Sequence, residues 1–140
     1  MRHISYIVTV FLIFLLSGCT GGLSVPTSMK IDAVSSGNTM PTALYFFALG
    51  SDDKFRKMDY SELMRAKQTK LGGDILMQNK IILPVKGRIT KMFRLPPNTR
   101  YFGIVASFSN VSTSDNWRKI RSVNNGSNSM RLYIGRNSIR

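Results

Sequence analysis

Cys19 is the side chain with the most reactive chemistry in this 140-residue sequence, and it is the only cysteine. A lone thiol cannot close an internal disulfide, and an odd cysteine in an exported protein calls for its own explanation. The rest of the reactive inventory is thin. The one histidine, His3, lies in a segment that reads as a removable leader, so neither a Ser-His-Asp nor a Cys-His site is available to the remainder. Metal ligation by clustered His and Cys falls for the same reason. Seven acids are left: Asp32, Asp52, Asp53, Asp59, Glu62, Asp74 and Asp115. Asp52-Asp53 reads as a turn, and Asp59 with Glu62 as a helix cap. A glycosidase-type carboxylate pair could only be assembled in space, and no local spacing suggests one. No glycine-rich loop runs from a strand into a helix in the manner that cradles phosphate. The residues therefore favour binding or scaffolding over catalysis, with no catalytic residue, no metal, no cofactor and no small-molecule substrate expected.

The residues ahead of Cys19 indicate how it is used. Met1-Arg2-His3 is a short basic start, Ile4 to Leu16 is a charge-free apolar run of 13 residues, and the small residues Ser17 and Gly18 precede the cysteine. This is the layout of an export signal. At about 1.5 Å per residue such a run falls short of the ~30 Å hydrocarbon core, so a permanent membrane helix is not expected. Leu16-Ser17-Gly18-Cys19 resembles the bacterial lipobox. That resemblance implies that the Cys19 sulfur receives a diacylglyceryl group, that Leu16, Ser17 and Gly18 are read by the signal peptidase, and that cleavage leaves Cys19 as a new, acylated N-terminus. Each buried CH₂ contributes roughly 0.8 kcal/mol, so one acyl chain holds marginally and more than one holds stably. Thr20 stands where an aspartate would resemble an inner-membrane retention signal, which points to the outer membrane. The alternative is an ordinary secretory signal ending in a chance cysteine.

Removing residues 1–18, which contain one arginine and no acid, leaves 122 of the 140 residues and lowers the formal charge from +13 to +12. That length suits one domain with a real core and is too short for two. In a cytosolic protein the excess charge would suggest nucleic acid. In an exported one it suggests anionic lipid headgroups or an acidic protein surface, or simply a solvated surface with no specific partner. Nucleic acid is not expected.

The elements that must position these residues follow in order. Thr20 to Ser28 is made of small residues with Pro26 breaking regular structure, a flexible tether. Residues 19–28 thus join the lipid-bearing end to a domain over 29–140. Met29 to Val34 alternates as a half-buried strand, and Ser35 to Pro41 is a loop with Met40 exposed. Ala43 to Leu49 is apolar on both faces and fits a central strand covered on both sides. Phe55, Met58, Leu63 and Met64 recur at helical spacing, and Asp59-Tyr60-Ser61-Glu62 predicts a capping box opening a short helix that packs on the sandwich edge or bridges the sheets. Lys70 to Asp74 predicts a turn. Ile75 to Leu83 and Arg88 to Leu95 predict a hairpin about Pro84-Val85-Lys86-Gly87, with Lys91 placed awkwardly on the apolar face of Ile89 and Phe93. In Tyr101 to Phe108 the residues Phe102, Ile104, Ala106 and Phe108 face one way, and Gly103 leaves room for a neighbour. Trp117 stands at a loop-to-strand junction as a plug over the core or a contact residue. Asn124 to Asn128 reads as a turn, Met130 to Ile134 as a last strand, and Gly135 to Arg140 as a basic tail. About seven strands with one or two short helices make an all-β fold, a small antiparallel β-sandwich.

Several of these features together resemble the type VI secretion outer-membrane lipoproteins, the TssJ/VasD family. The resemblance lies in their order: Pro41 ahead of Leu44 to Leu49, then Phe55, then Tyr60 to Met64, then Leu71-Gly72-Gly73-Asp74-Ile75-Leu76. Leu83-Pro84 follows, then Thr99 to Phe108, and finally Trp117-Arg118. The family implies a transthyretin-like β-sandwich tethered to the outer membrane and facing the periplasm. It also implies a partner, the periplasmic C-terminal region of the large TssM-like inner-membrane component, with which it anchors a trans-envelope complex. The loop after the first strand serves part of that contact in the family, which carries over to Ser36, Gly37, Asn38, Thr39 and Met40. The competing function is an unrelated periplasmic lipoprotein that inhibits a hydrolase or binds cell-envelope anions.

Overall fold

The computed structural model describes residues 26–109, 111 and 116–140, with residues 66–70 described by their backbone alone. Cys19 and the lipobox residues Leu16, Ser17 and Gly18 lie outside the described residues. The strands are β1 (Ser28–Ser35), β2 (Thr42–Leu49), β3 (Ile75–Leu83), β4 (Arg88–Arg94), β5 (Tyr101–Ser107), β6 (Arg118–Ser122) and β7 (Ser127–Ile134). The helices are α1 (Asp53–Lys57) and α2 (Tyr60–Leu71), with a 3₁₀ turn at Gly72–Asp74.

Two sheets face each other. One has the order β4-β1-β7 and the other β3-β2-β5-β6. Period-two patterning sorts the side chains. Met29, Ile31 and Ala33 of β1, Met130, Leu132 and Ile134 of β7, Leu44, Phe46 and Ala48 of β2, and Phe102, Ile104 and Ala106 of β5 are all buried, as alternation dictates for inner faces. At the centre Phe46, Phe93 and Phe102 meet with ring centroids 5.0–6.0 Å apart. The β2 run is apolar on both faces because its second face is also covered. Phe47 packs against Phe55 of α1 at 5.6 Å between centroids, and the Tyr60 hydroxyl lies 3.4 Å from Ser107 Oγ. The helices thus lie on the outer face of the four-stranded sheet, not on an edge or between the sheets.

The capping box forms as read: Asp59 Oδ1 accepts from the Glu62 N–H at 2.7 Å, and Glu62 Oε2 accepts from the Asp59 N–H at 3.2 Å. The helix it opens runs on to Leu71, through part of the predicted turn, because Leu71 is buried and extends the apolar stripe. The predicted hairpin does not form. β3 pairs with β2 and β4 pairs with β1, so the turn at Pro84–Gly87 carries the chain from one sheet to the other. Each strand thereby supplies an edge partner to a different sheet, and their buried residues Leu83 and Phe93 both face the common core. Lys91 is exposed because β4 is an edge strand, where its stem reaches solvent and an inward-directed charge discourages further pairing.

The sandwich is not wholly antiparallel. β1 and β7 run parallel in register from Ser28↔Ser127 to Ser35↔Ile134. The tail is not loose either. Ile139 is buried, bridges to Ile134, and donates its N–H to the Asn116 carbonyl at 2.7 Å. It is the one apolar residue after Ile134, and burying it folds the tail back.

Candidate functional site

The strand directions give the sandwich two ends. The β1–β2 loop, the Pro84–Gly87 turn, the start of the β5–β6 connection and the C-terminal tail share one end. Pro26-Thr27, Pro96–Arg100 and the turn at Val123–Gly126 share the other.

The loop residues Ser36, Gly37, Asn38, Thr39 and Met40 divide into supports and exposed groups. Ser36 donates its N–H to the Ile134 carbonyl at 2.7 Å. Gly37 holds φ at +78°, a conformation side chains resist. Asn38 is 8% exposed and donates from Nδ2 to Thr42 Oγ1 at 3.0 Å, so it braces the loop. Thr39 and Met40 are exposed, Met40 at 69%. They border a shallow groove of about 250 Å³ whose far side is Phe108, Ser109 and Arg136. Val85 and Ile82 are also exposed apolar residues at this end. Ile82 sits opposite Ala43 in the register. Sequence reasoning missed Ile82, Val85 and Arg136. The signal for Ile82 and Val85 was the unbroken Ile81-Ile82-Leu83-Pro84-Val85 run, more apolar than one buried face requires. Arg136 had none, since only the folded-back tail brings it there.

Beside this end, Trp117 is the plug: it is buried, with Tyr60 edge-on at 5.3 Å. Arg118 lies over the Trp117 ring at 4.6 Å and donates to the carbonyls of Phe55 (2.6 Å), Arg56 (2.6 Å) and Met58 (2.7 Å). A guanidinium fork thus satisfies the orphan carbonyls that end α1. Gly103 lies beneath α1, where an added Cβ would come 2.8 Å from Phe55 Cζ. The Trp-Arg pair and the glycine of β5 therefore fix α1 against the sheet.

On the outer face of the three-stranded sheet Asp32 receives Arg88 through both carboxylate oxygens, at 2.8 and 2.6 Å, and Arg131 at 3.3 Å. The Arg88 hydrogen bonds hold its carboxyl below the usual range, against some desolvation, and the charges of Arg88 and Arg131 add to this. This cluster ties β1, β4 and β7 together across the sheet. Among the described residues no group of three or more His, Cys, Asp or Glu is disposed to hold a metal, and no helix is long and apolar enough to cross a membrane.

Comparison with known proteins places this architecture. The lipoprotein TssJ1 of Pseudomonas aeruginosa superposes with a TM-score of 0.76 at 24% identity, over 82% of this chain and 94% of that one. Serratia marcescens Lip, described as a membrane bound component of the Type VI Secretion System, gives 0.74 at 17% identity, over 83% and 96%. A chain of the structure described as the T6SS protein TssM C-terminal domain from EAEC gives 0.68 at 15% identity, over 81% and 96%. At these identities the likeness establishes the fold. Among curated proteins no match is significant. The family model T6SS-SciN, the type VI secretion lipoproteins that include VasD, EvfM and TssJ, matches residues 21–137, most of the chain, and the chain therefore belongs to the type VI secretion lipoprotein family.

Proposed function

We propose that this protein is the outer-membrane anchor of a type VI secretion trans-envelope complex, held in the bilayer through acylated Cys19 and binding the periplasmic C-terminal region of a TssM-like inner-membrane component. The observation that carries the reading is the family match over residues 21–137. It is supported by the likeness to a chain of the structure described as a TssM C-terminal domain. The role is that of a binding module without catalysis. Its partner face is the end of the sandwich bearing Thr39, Met40, Val85 and Arg136, where apolar side chains stand exposed beside a groove, as at the centre of a protein contact.

Capture of the detergent-solubilised full-length protein by the partner's periplasmic region tests this. Retention at micromolar concentration is expected, and its absence counts against the reading. Cys19→Ser is expected to move the protein from the outer-membrane fraction to the soluble periplasm. An unchanged location would overturn the anchor.

A further inference from the structure

The end of the sandwich opposite the β1–β2 loop carries a groove of about 840 Å³, lined by Pro26, Thr27, Arg94, Pro97, Arg100 and Val123 among others, with no acid in its wall. Its rim is rigid. Pro97 fixes one φ, Asn98 sits at φ +69°, and the Pro96 carbonyl accepts from Thr99 Oγ1 at 2.7 Å, a proline-led turn with its left-handed position filled by asparagine. The exposed Pro97 stands between Arg94 and Arg100, both exposed. No hydrogen bond or ion pair ties either guanidinium to a described residue. The acids of the β2–β3 side at this end, Asp52 (paired with Arg56), Asp53 and Asp74 (whose carbonyl receives the Gly50 N–H), are not among the residues that line the groove.

The chain enters the fold here. The Thr27 carbonyl accepts from the Leu95 N–H and the Ser28 N–H donates to the Gly126 carbonyl, each at 2.9 Å, so the entering segment is strapped to both loops of the groove. Six residues lie between Cys19 and Pro26, seven steps of chain with a reach of at most about 25 Å when fully extended. An acylated Cys19 therefore keeps this end within about 25 Å of the bilayer surface, close enough to dock on it.

We propose that this groove takes the headgroup phosphates of anionic glycerophospholipids in the membrane that holds Cys19, with Arg94 and Arg100 as the cationic contacts and Pro97 as the apolar tip between them. This rests on the reading of Cys19 as the lipid-bearing residue. Docked so, the strands stand on the membrane, and the β1–β2 loop is held about 26 Å above it, the length of an eight-residue strand.

The test reconstitutes the full-length acylated protein in vesicles of phosphatidylcholine alone or with phosphatidylglycerol, and reads flotation and amide hydrogen exchange over residues 94–100. An arginine at an anionic surface is worth about five-fold in binding. Exchange there is expected to slow by roughly 25-fold with phosphatidylglycerol, by about five-fold in Arg94→Gln or Arg100→Gln, and not at all in the double variant. Unchanged exchange in β5 shows that the variants fold. Flotation with no phosphatidylglycerol-dependent protection overturns the headgroup contact alone. Failure to float with either vesicle overturns the anchor and, with it, the contact. Equal protection by inorganic phosphate without vesicles makes this a free-anion site and overturns the proposal.

Discussion

An alanine at position 103 would drive its methyl into the Phe55 ring, 2.8 Å from Cζ, inside a packed layer where overpacking costs about 1–3 kcal/mol. Gly103→Ala is expected to lower chemical-denaturation stability by that amount, and Phe55→Leu to recover part of it in the double variant. Purely additive effects would show that the two sites do not share the volume. Asp32 gives a residue-scale prediction in pH. Its folded carboxyl titrates below the ordinary value of 3.8 because Arg88, and then Arg131, favour the ionised form. Its stabilisation is therefore fully present above that ordinary value and is lost as pH falls through the lower folded one. In acid titrations followed by circular dichroism, Asp32→Asn is expected to be the less stable protein at neutral pH, with the difference shrinking as pH falls below 3.8 and vanishing only below the lower folded value. A constant difference across that range would exclude the ion cluster as its source.

At the scale of elements, α1 has only five residues, too few to persist alone. It is held from below by Phe55 on Gly103 and from its C-terminal end by Arg118. Charged hydrogen bonds of this kind contribute roughly 1.5–3 kcal/mol, so Arg118→Ala is expected to destabilise by about 2–3 kcal/mol, and Arg118→Lys to restore less than half, since an ammonium cannot fork to three carbonyls. Full restoration by lysine would mean that charge alone matters. The contrast between α2 and β3 shows what the sequence made legible. The capping box at Asp59–Glu62, the two-faced β2 and the gap at Gly103 could be read because each depends on residues close together or on one strand's period. The sheet change at Pro84–Gly87 could not, because a turn signal states that the chain reverses and not which neighbour each strand takes. The burial of Ile139 was hidden for a similar reason, since its partners Asn116 and Ile134 come together only in the finished fold. In the β1–β2 loop the exposure of Met40 could be read from its polar setting, whereas the bracing role of Asn38 needed the structure, which sets Thr42 of β2 within reach of its side chain.

At the scale of the whole molecule, the two ends of the sandwich differ in what they expose. The groove bordered by Arg94 and Arg100 has no acid in its wall, while the other end sets the exposed apolar residues Met40, Ile82 and Val85 beside the exposed Arg136. Met40→Glu is expected to weaken capture by the TssM-like periplasmic region by tenfold or more, in line with loss of about 1.4 kcal/mol or more at a central contact, without lowering the melting temperature. Undiminished capture would move the partner face elsewhere. The parallel pairing of β1 with β7 has a consequence for biogenesis. The first of the described strands to be made is a central strand whose second neighbour is the last of them, so its sheet cannot close until nearly all of the domain has been synthesised. Such distant pairing delays the closing step and leaves the early strands in want of a guardian, and a premature stop near residue 126 would forfeit the whole domain rather than its final strand.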